Sequence, residues 1–183
     1  MRHSYGLQDL FIHNAWLTIG SYDGVHLGHQ QIINQITAGA HQVDASAVVL
    51  TFYPHPSMVL RGSRDSFYLT LPEEKAQLLG KMGVDEVITH PFSREIAETE
   101  PEDFIKKLIA HLDIKHLWVG YDFAFGKDRK GNPAFLAELS EKYGFELHVI
   151  EAFEASGDVV HSSRIRRAIE AGEITSANHL LGH

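Results

Sequence analysis

At 183 residues, with 44% hydrophobic and 22% charged side chains, the chain has the size and balance of one ordinary globular domain. It contains no cysteine, which excludes a disulfide framework, thiol catalysis and Cys-ligated zinc, and fits a reducing cytoplasm. The formal net charge is -8, no apolar run approaches the roughly 18–20 residues of a membrane span, and no leader-like segment opens the chain, so the expectation is a cytoplasmic protein with neither nucleic-acid nor membrane partners.

Apolar and amphipathic stretches alternate from end to end. Ala15–Ser21 reads as a buried strand entering a glycine-containing turn, and Gly28–Ala40 as the helix that follows. Ala45–Tyr53 is β-branched and almost continuously apolar, as expected of a strand covered on both faces, and Pro54-His55-Pro56 stops it. Arg61–Thr70 is polar and aperiodic, a long loop. Leu71-Pro72-Glu73-Glu74 opens a helix with proline in the first turn and acids facing the dipole, and Glu86–Thr89 is a short strand. Glu100-Pro101-Glu102-Asp103 opens another helix by the same device, with Phe104, Ile105, Leu108 and Ile109 on its apolar face. His116–Gly120 is a strand, Pro133–Tyr143 a helix and Phe145–Ile150 a strand, followed by two terminal helices over Ser162–Ala171 and Thr175–Leu181. This alternation predicts an α/β domain spanning residues 1–183, with a mainly parallel five-stranded sheet flanked by helices.

In such a sheet ligands bind outside the carboxyl ends of the strands, where the strand order reverses. The unusual residues fall at those ends. His26 and His29 begin a helix, where free backbone N–H groups favour an anion, and Gly28 between them allows close approach of a phosphate. Two structural histidines, or a zinc site lacking a recognisable third ligand, are the other readings of this pair. Ser162-Ser163-Arg164-Ile165-Arg166 also starts a helix. The serines suffice as caps, but cations in a first turn oppose the macrodipole unless an anion is bound there. Gly120–Gly126 is either a tight turn with core phenylalanines or a backbone platform for a planar ring. Phe52-Tyr53-Pro54-His55-Pro56 is either a rigid strand exit or an aromatic wall. The basic residues around Lys127–Lys130 and Arg164–Arg167 are candidates for local anion sites.

Taken in order, Thr18–His29, Thr51–Pro56, Leu71–Lys75, Pro91–Arg94, Pro101–Phe104, Val119–Gly131, His161–Arg166 and Ala177–Gly182 resemble the FAD synthetase (FMN adenylyltransferase) module of bacterial bifunctional riboflavin kinase/FAD synthetases. The His26-Leu27-Gly28-His29 element marks the wider nucleotidyltransferase superfamily. Thr51–Pro56 and Val119–Gly126 narrow the likeness to the flavin branch. The resemblance implies a Rossmann-like nucleotidyltransferase fold on which ATP and FMN meet with Mg²⁺, giving FAD and pyrophosphate. It implies catalytic roles for His26, His29, Ser162, Ser163 and Arg166, and ATP contacts from Gly20, Ser21, Asp23, Gly28, Gly120, Asp122 and Arg164. Phe52, Pro54, His55, Pro56 and Phe123 would approach the flavin. Mg²⁺ would be held mainly through ATP phosphates, and onward transfer of FAD to apo-flavoproteins is a further expected partnership.

The sequence departs from the family pattern at His161, where serine is usual, and at Ser163, where threonine is. Tyr22 replaces the usual phenylalanine, and Asn132 an acidic residue. Family members also continue into a riboflavin kinase module, whereas this sequence stops at His183, so riboflavin phosphorylation is not expected. The rival readings are a related transferase with another phosphorylated acceptor, and a non-catalytic nucleotide- or flavin-binding module.

Overall fold

The apolar runs form the middle of a six-stranded sheet in which every neighbouring pair is parallel, ordered β1-β4-β3-β2-β5-β6. In this computed structural model residues 1–61, 68–155 and 157–183 are described. Most of the loop expected over Arg61–Thr70, namely residues 62–67, lies outside them. The strands are β1 (Arg2–Tyr5), β2 (Ala15–Ile19), β3 (Ser46–Tyr53), β4 (Glu86–Pro91), β5 (Ile114–Gly120) and β6 (Glu146–Ile150). A small antiparallel pair, β7 (Glu154–Ala155) and β8 (Asp158–Val159), follows the sheet. The helices are α1 (Leu27–Gln42), α2 (Pro56–Arg61), α3 (Pro72–Lys81), α4 (Arg94–Ala97), α5 (Pro101–Leu112), α6 (Pro133–Tyr143), α7 (Ser162–Glu170) and α8 (Ile174–Leu181).

The sheet therefore has one strand more than the five expected. The extra strand, β1, reads Arg-His-Ser-Tyr and is half-buried at best, so it carries no apolar alternation. Its place on the edge comes from pairing with β4 and from the Arg2 and Ser4 side chains, both of which donate to the buried Glu86 carboxylate. The proline-opened helices begin as expected, at Pro72, Pro101 and Pro133. Ring-fixed φ costs nothing at the first helical position, and the missing N–H is not needed there.

β3 is covered on both faces, as its apolar run predicts. Val48, Leu50 and Phe52 join the larger core with Phe104 and Leu108 of α5 and Leu136 of α6. The alternate residue Val49 packs with Ile33 of α1 and Leu79 of α3 on the opposite face. A satellite core joins Val160 to Ile165 and Ala168 of α7 and Ala177 and Leu180 of α8. It is tied to the start of α1 by the Gln30 side chain, whose Nε2 donates to the Leu181 carbonyl at 2.7 Å.

The chain runs from β2 outward through β3 to β4, then returns to the far side of β2 for β5 and β6. The reversal of strand order thus lies between β2 and β5. The segments leaving these two strands, Gly20–His29 and Gly120–Gly126, face one crevice.

Candidate active site

The turn leaving β2 is held in an unfavourable backbone shape. Tyr22, Gly24 and Val25 have φ of 48°, 81° and 40°. Left-handed geometry is ordinary for glycine but costly for a bulky or β-branched residue, so the surroundings must impose it. They do so by cross-bracing. The fully buried Asp23 carboxylate accepts from the backbone N–H groups of Leu69 and Thr70, each at 3.0 Å, and pairs with the Arg166 guanidinium. The Ser162 hydroxyl donates to the Asp23 carbonyl at 2.9 Å, linking the start of α7 to the same turn. Beneath it, the Lys75 ammonium donates to the Ser21 carbonyl at 2.6 Å and to Thr51 Oγ1 at 3.1 Å. Burial lowers the Lys75 pKa to about 8, against the opposing pull of the Asp23 charge.

His26 caps α1, its Nδ1 accepting from the His29 backbone N–H at 3.4 Å. The two imidazoles stack with ring centroids 3.6 Å apart, and the Tyr22 ring lies 4.9 Å from His29. Burial brings the His26 pKa down to about 4, helped by the neighbouring His161. Burial also pushes His29 well below the usual imidazole range, followed by the charges of His26, Lys75 and His161. Both rings are therefore neutral at pH 7 and can each donate one N–H. The shielded Nδ1 of His29 has no hydrogen-bond partner among the described residues.

Two cavities open over this crevice. One, of about 290 Å³, is lined by His26, Gly28, His29, Gly120, Asp122 and Ser162, with His161 beside them. The other, of about 610 Å³, is lined by Phe52, His55, Pro56, Phe92, Phe104 and Phe125, with Lys127 and Arg129 at its rim. Its aromatic rings pack edge-on or tilted, Phe52 against Phe92 and Phe104 against Phe125, both at 5.5 Å. Gly20, Ser21 and Phe123 line both cavities, so a polar cleft and an aromatic cleft share one wall at the strand-order reversal.

The family model described as FAD synthetase matches residues 10–164, most of the chain. The chain belongs to the FAD synthetase family. This FAD synthetase-family chain is 38% identical over 171 residues to the bifunctional riboflavin kinase/FMN adenylyltransferase of Listeria monocytogenes, covering 93% of its own length and 54% of that protein. It is also 33% identical over 170 residues to an FAD synthetase of the same organism, covering 92% of this chain and 69% of that one. It thus spans about half the length of the bifunctional relatives it matches. Among solved structures, a Streptococcus pneumoniae protein described as a macrolide-efflux protein superimposes with a TM-score of 0.84 at 25% identity, over all of this chain and 61% of that one. No helix among the described residues is long and apolar enough to cross a membrane.

Most of the residues singled out in the sequence come together in this FAD synthetase-family site, but not all face open space. Asp23, Ser163, Arg164, Arg166 and Pro54 line neither cavity. Asp23 and Arg166 brace each other, and the Arg164 Nη1 donates to the carbonyls of Ala155 and Asp158 in the β7–β8 hairpin. The electrostatic conflict of arginines at the start of α7 is thus met by protein partners, without requiring a bound polyphosphate. His161, which departs from the family pattern, brings a third imidazole to the polar cleft. Sequence reading missed Lys75, Phe92 and Phe104 as site residues. Lys75 directly follows the helix-opening Leu71-Pro72-Glu73-Glu74, and nothing in that local pattern marks it as buried. Only the tertiary fold turns it under Ser21.

Proposed function

We propose that the chain transfers AMP from ATP to FMN, giving FAD and pyrophosphate. The observation that carries this reading is the junction of two clefts of opposite chemistry at Gly20, Ser21 and Phe123. An adenylyltransferase acting on a flavin must bind a polyanion and a large aromatic ring system side by side, with their phosphates in contact. The polar cleft takes ATP, with its triphosphate against the start of α1. The aromatic cleft takes the isoalloxazine ring among Phe52, His55, Phe104 and Phe123, and directs the FMN phosphate towards Ser21.

In the reaction, an FMN phosphate oxygen bonds to the α-phosphorus of ATP. The bond from that phosphorus to the β-bridging oxygen breaks, and its electron pair leaves on pyrophosphate. No protein nucleophile is needed, so the site works by alignment and by stabilising charge. His26 and His29 donate to phosphate oxygens as charge builds on the leaving group, and Gly28 leaves room for the phosphate above the helix start. Ser162 lines the polar cleft at the start of α7 and can swing its hydroxyl from the Asp23 carbonyl to a bound phosphate, whereas Ser163, which lines neither cavity, is left without a direct phosphate contact. Arg166 holds Asp23, and through it the turn that presents His26. Arg164 fixes the β7–β8 hairpin beside the polar cleft.

The donors around the polar cleft suit Mg²⁺ brought in on ATP rather than caged by protein. They are imidazoles with two exposed carboxylates, Asp122 and Glu151, and Mg²⁺ keeps several waters when so few carboxylates are offered. When bound it would neutralise phosphate charge. Handover of FAD to an apo-flavoprotein would follow release from the aromatic cleft, which opens to solvent.

The fate of label tests the reading. ATP labelled at the α-phosphate should pass its label to FAD, and ATP labelled at the γ-phosphate should pass it to pyrophosphate. Label carried from the α-phosphate to another phosphorylated acceptor, with FMN untouched, would replace FMN as substrate.

A further inference from the structure

The face of the sheet away from α5 and α6 carries a second cluster that the reaction does not use. His116 of β5 sits beside Glu146 of β6 in parallel register, and His148 lies two residues further along β6, so all three side chains leave the same face. Their ligand atoms lie within 4.8 Å of one another. His116 Nδ1 is 3.1 Å from His148 Nε2 and 3.6 Å from Glu146 Oε2, and His148 Nε2 is 3.5 Å from Glu146 Oε1. Ligands at 2.0–2.1 Å from a tetrahedral zinc ion stand about 3.4 Å apart. The two imidazole nitrogens stand near that value, while the two carboxylate contacts run to different oxygens, so the exposed Glu146 side chain must turn to bring one oxygen to a shared ion.

The imidazoles are also held in place. The His148 ring stacks on Trp118 at 4.0 Å and 11°, and the His116 ring lies 4.1 Å from Trp16. Both tryptophans are packed in turn against α1: Trp118 clusters with Ile36 and Ala40, and Trp16 fills the space where a side chain on Gly39 would project. An indole floor thus fixes the rings from below, while the Glu146 side chain, 63% exposed, leaves access from solvent. Supported, immobilised ligands of this kind lower the entropy cost of coordination.

We propose that His116, Glu146 and His148 form a binding site for a transition-metal dication of the zinc, nickel or copper class. Two imidazoles and one carboxylate match that class and do not suit Mg²⁺, which prefers oxygen donors, so the site is distinct from the metal carried by ATP. Three protein ligands leave at least one position for water. A bound ion would clamp the edge strand β6 to β5.

The chain supplies its own reporter, because Trp16 and Trp118 are its only two tryptophans and both touch the ligand rings. Untagged protein is titrated with Zn²⁺ by calorimetry and with Ni²⁺ by tryptophan fluorescence, alongside His116→Gln, His148→Gln, Glu146→Gln and a control, His41→Gln. His41 is an exposed histidine paired with Asp85 elsewhere. The expected result is one saturable equivalent of Zn²⁺, matching quenching by Ni²⁺, and at least a tenfold loss of affinity in each cluster variant but not in the control. Folding of each variant is checked by its melting curve in EDTA. If a histidine variant does not fold, Glu146→Gln carries the test alone, since it changes only an exposed side chain. Zn²⁺ affinity unchanged in the folded cluster variants, or quenching equal in wild type and variants, would overturn the site. Neither result bears on adenylyl transfer.

Discussion

Replacing Asp23 by asparagine should weaken this protein more than any other single-atom change in the β2–α1 turn. The carboxylate is fully buried, both of its oxygens are in use, and Arg166 stands against it with a side chain only 16% exposed. Asparagine keeps the shape but removes the negative charge, and turns an amide NH₂ towards donors or towards the guanidinium. Breaking one partner of a buried, hydrogen-bonded ion pair costs about 3–5 kcal/mol, because the other charge is left uncompensated. With a urea dependence of about 2 kcal/mol per molar, the unfolding midpoint should fall by about 2 M at pH 7. Arg166→Met should also destabilise. The double variant should be more stable than the sum of the single losses predicts, by at least about 1 kcal/mol, since both charges are then gone. A midpoint for Asp23→Asn within about 0.5 M of wild type, with an unchanged slope, would refute the claim that this pair holds the turn.

Three further outcomes follow from the histidines. His29→Ala should lower turnover at least tenfold, about 1.4 kcal/mol of transition-state stabilisation, with the fold retained by circular dichroism; unchanged turnover would remove its role. Stability should fall with acid between pH 6.5 and pH 4. His26 has an ordinary value of 6.5 when unfolded and about 4 when folded, so in that window the unfolded chain binds the extra proton, and about 3 kcal/mol is lost as pH drops. Urea titrations at pH 7, 5.5 and 4.5 read this directly, and His26→Gln should reduce the dependence, leaving the part that His29 contributes in the same direction. Because a triphosphate favours the charged imidazole, ATP binding at pH 6 should take up protons, visible as a binding heat that varies with the buffer's ionisation enthalpy; a buffer-independent heat would mean that the rings stay neutral in the complex.

The parts of this fold that were legible in the sequence are those set by local pattern. Ala45–Tyr53 announced a doubly covered strand because burial on both faces removes alternation, and Pro72, Pro101 and Pro133 marked helix starts because proline suits the first helical position. β1 stayed invisible because its polar residues are held by strand pairing and by Glu86, 82 or more residues away. In the site, His26 and Gly28 were legible from a glycine-rich turn before a helix. The reason for Arg166 was not, because its partner Asp23 lies 143 residues earlier in the chain. Lys75 shows the same limit. A lysine after two glutamates at a helix start carries no local sign of burial, and only the packing of α3 under the turn makes it a buried cation beneath Ser21.

The central claim is tested most directly by time courses of flavin and pyrophosphate with ATP, Mg²⁺ and either FMN or riboflavin. FMN should give FAD and pyrophosphate in equal amounts, and riboflavin, which lacks the attacking phosphate, should give no FAD. A folded protein that binds ATP and FMN yet forms no FAD would contradict it.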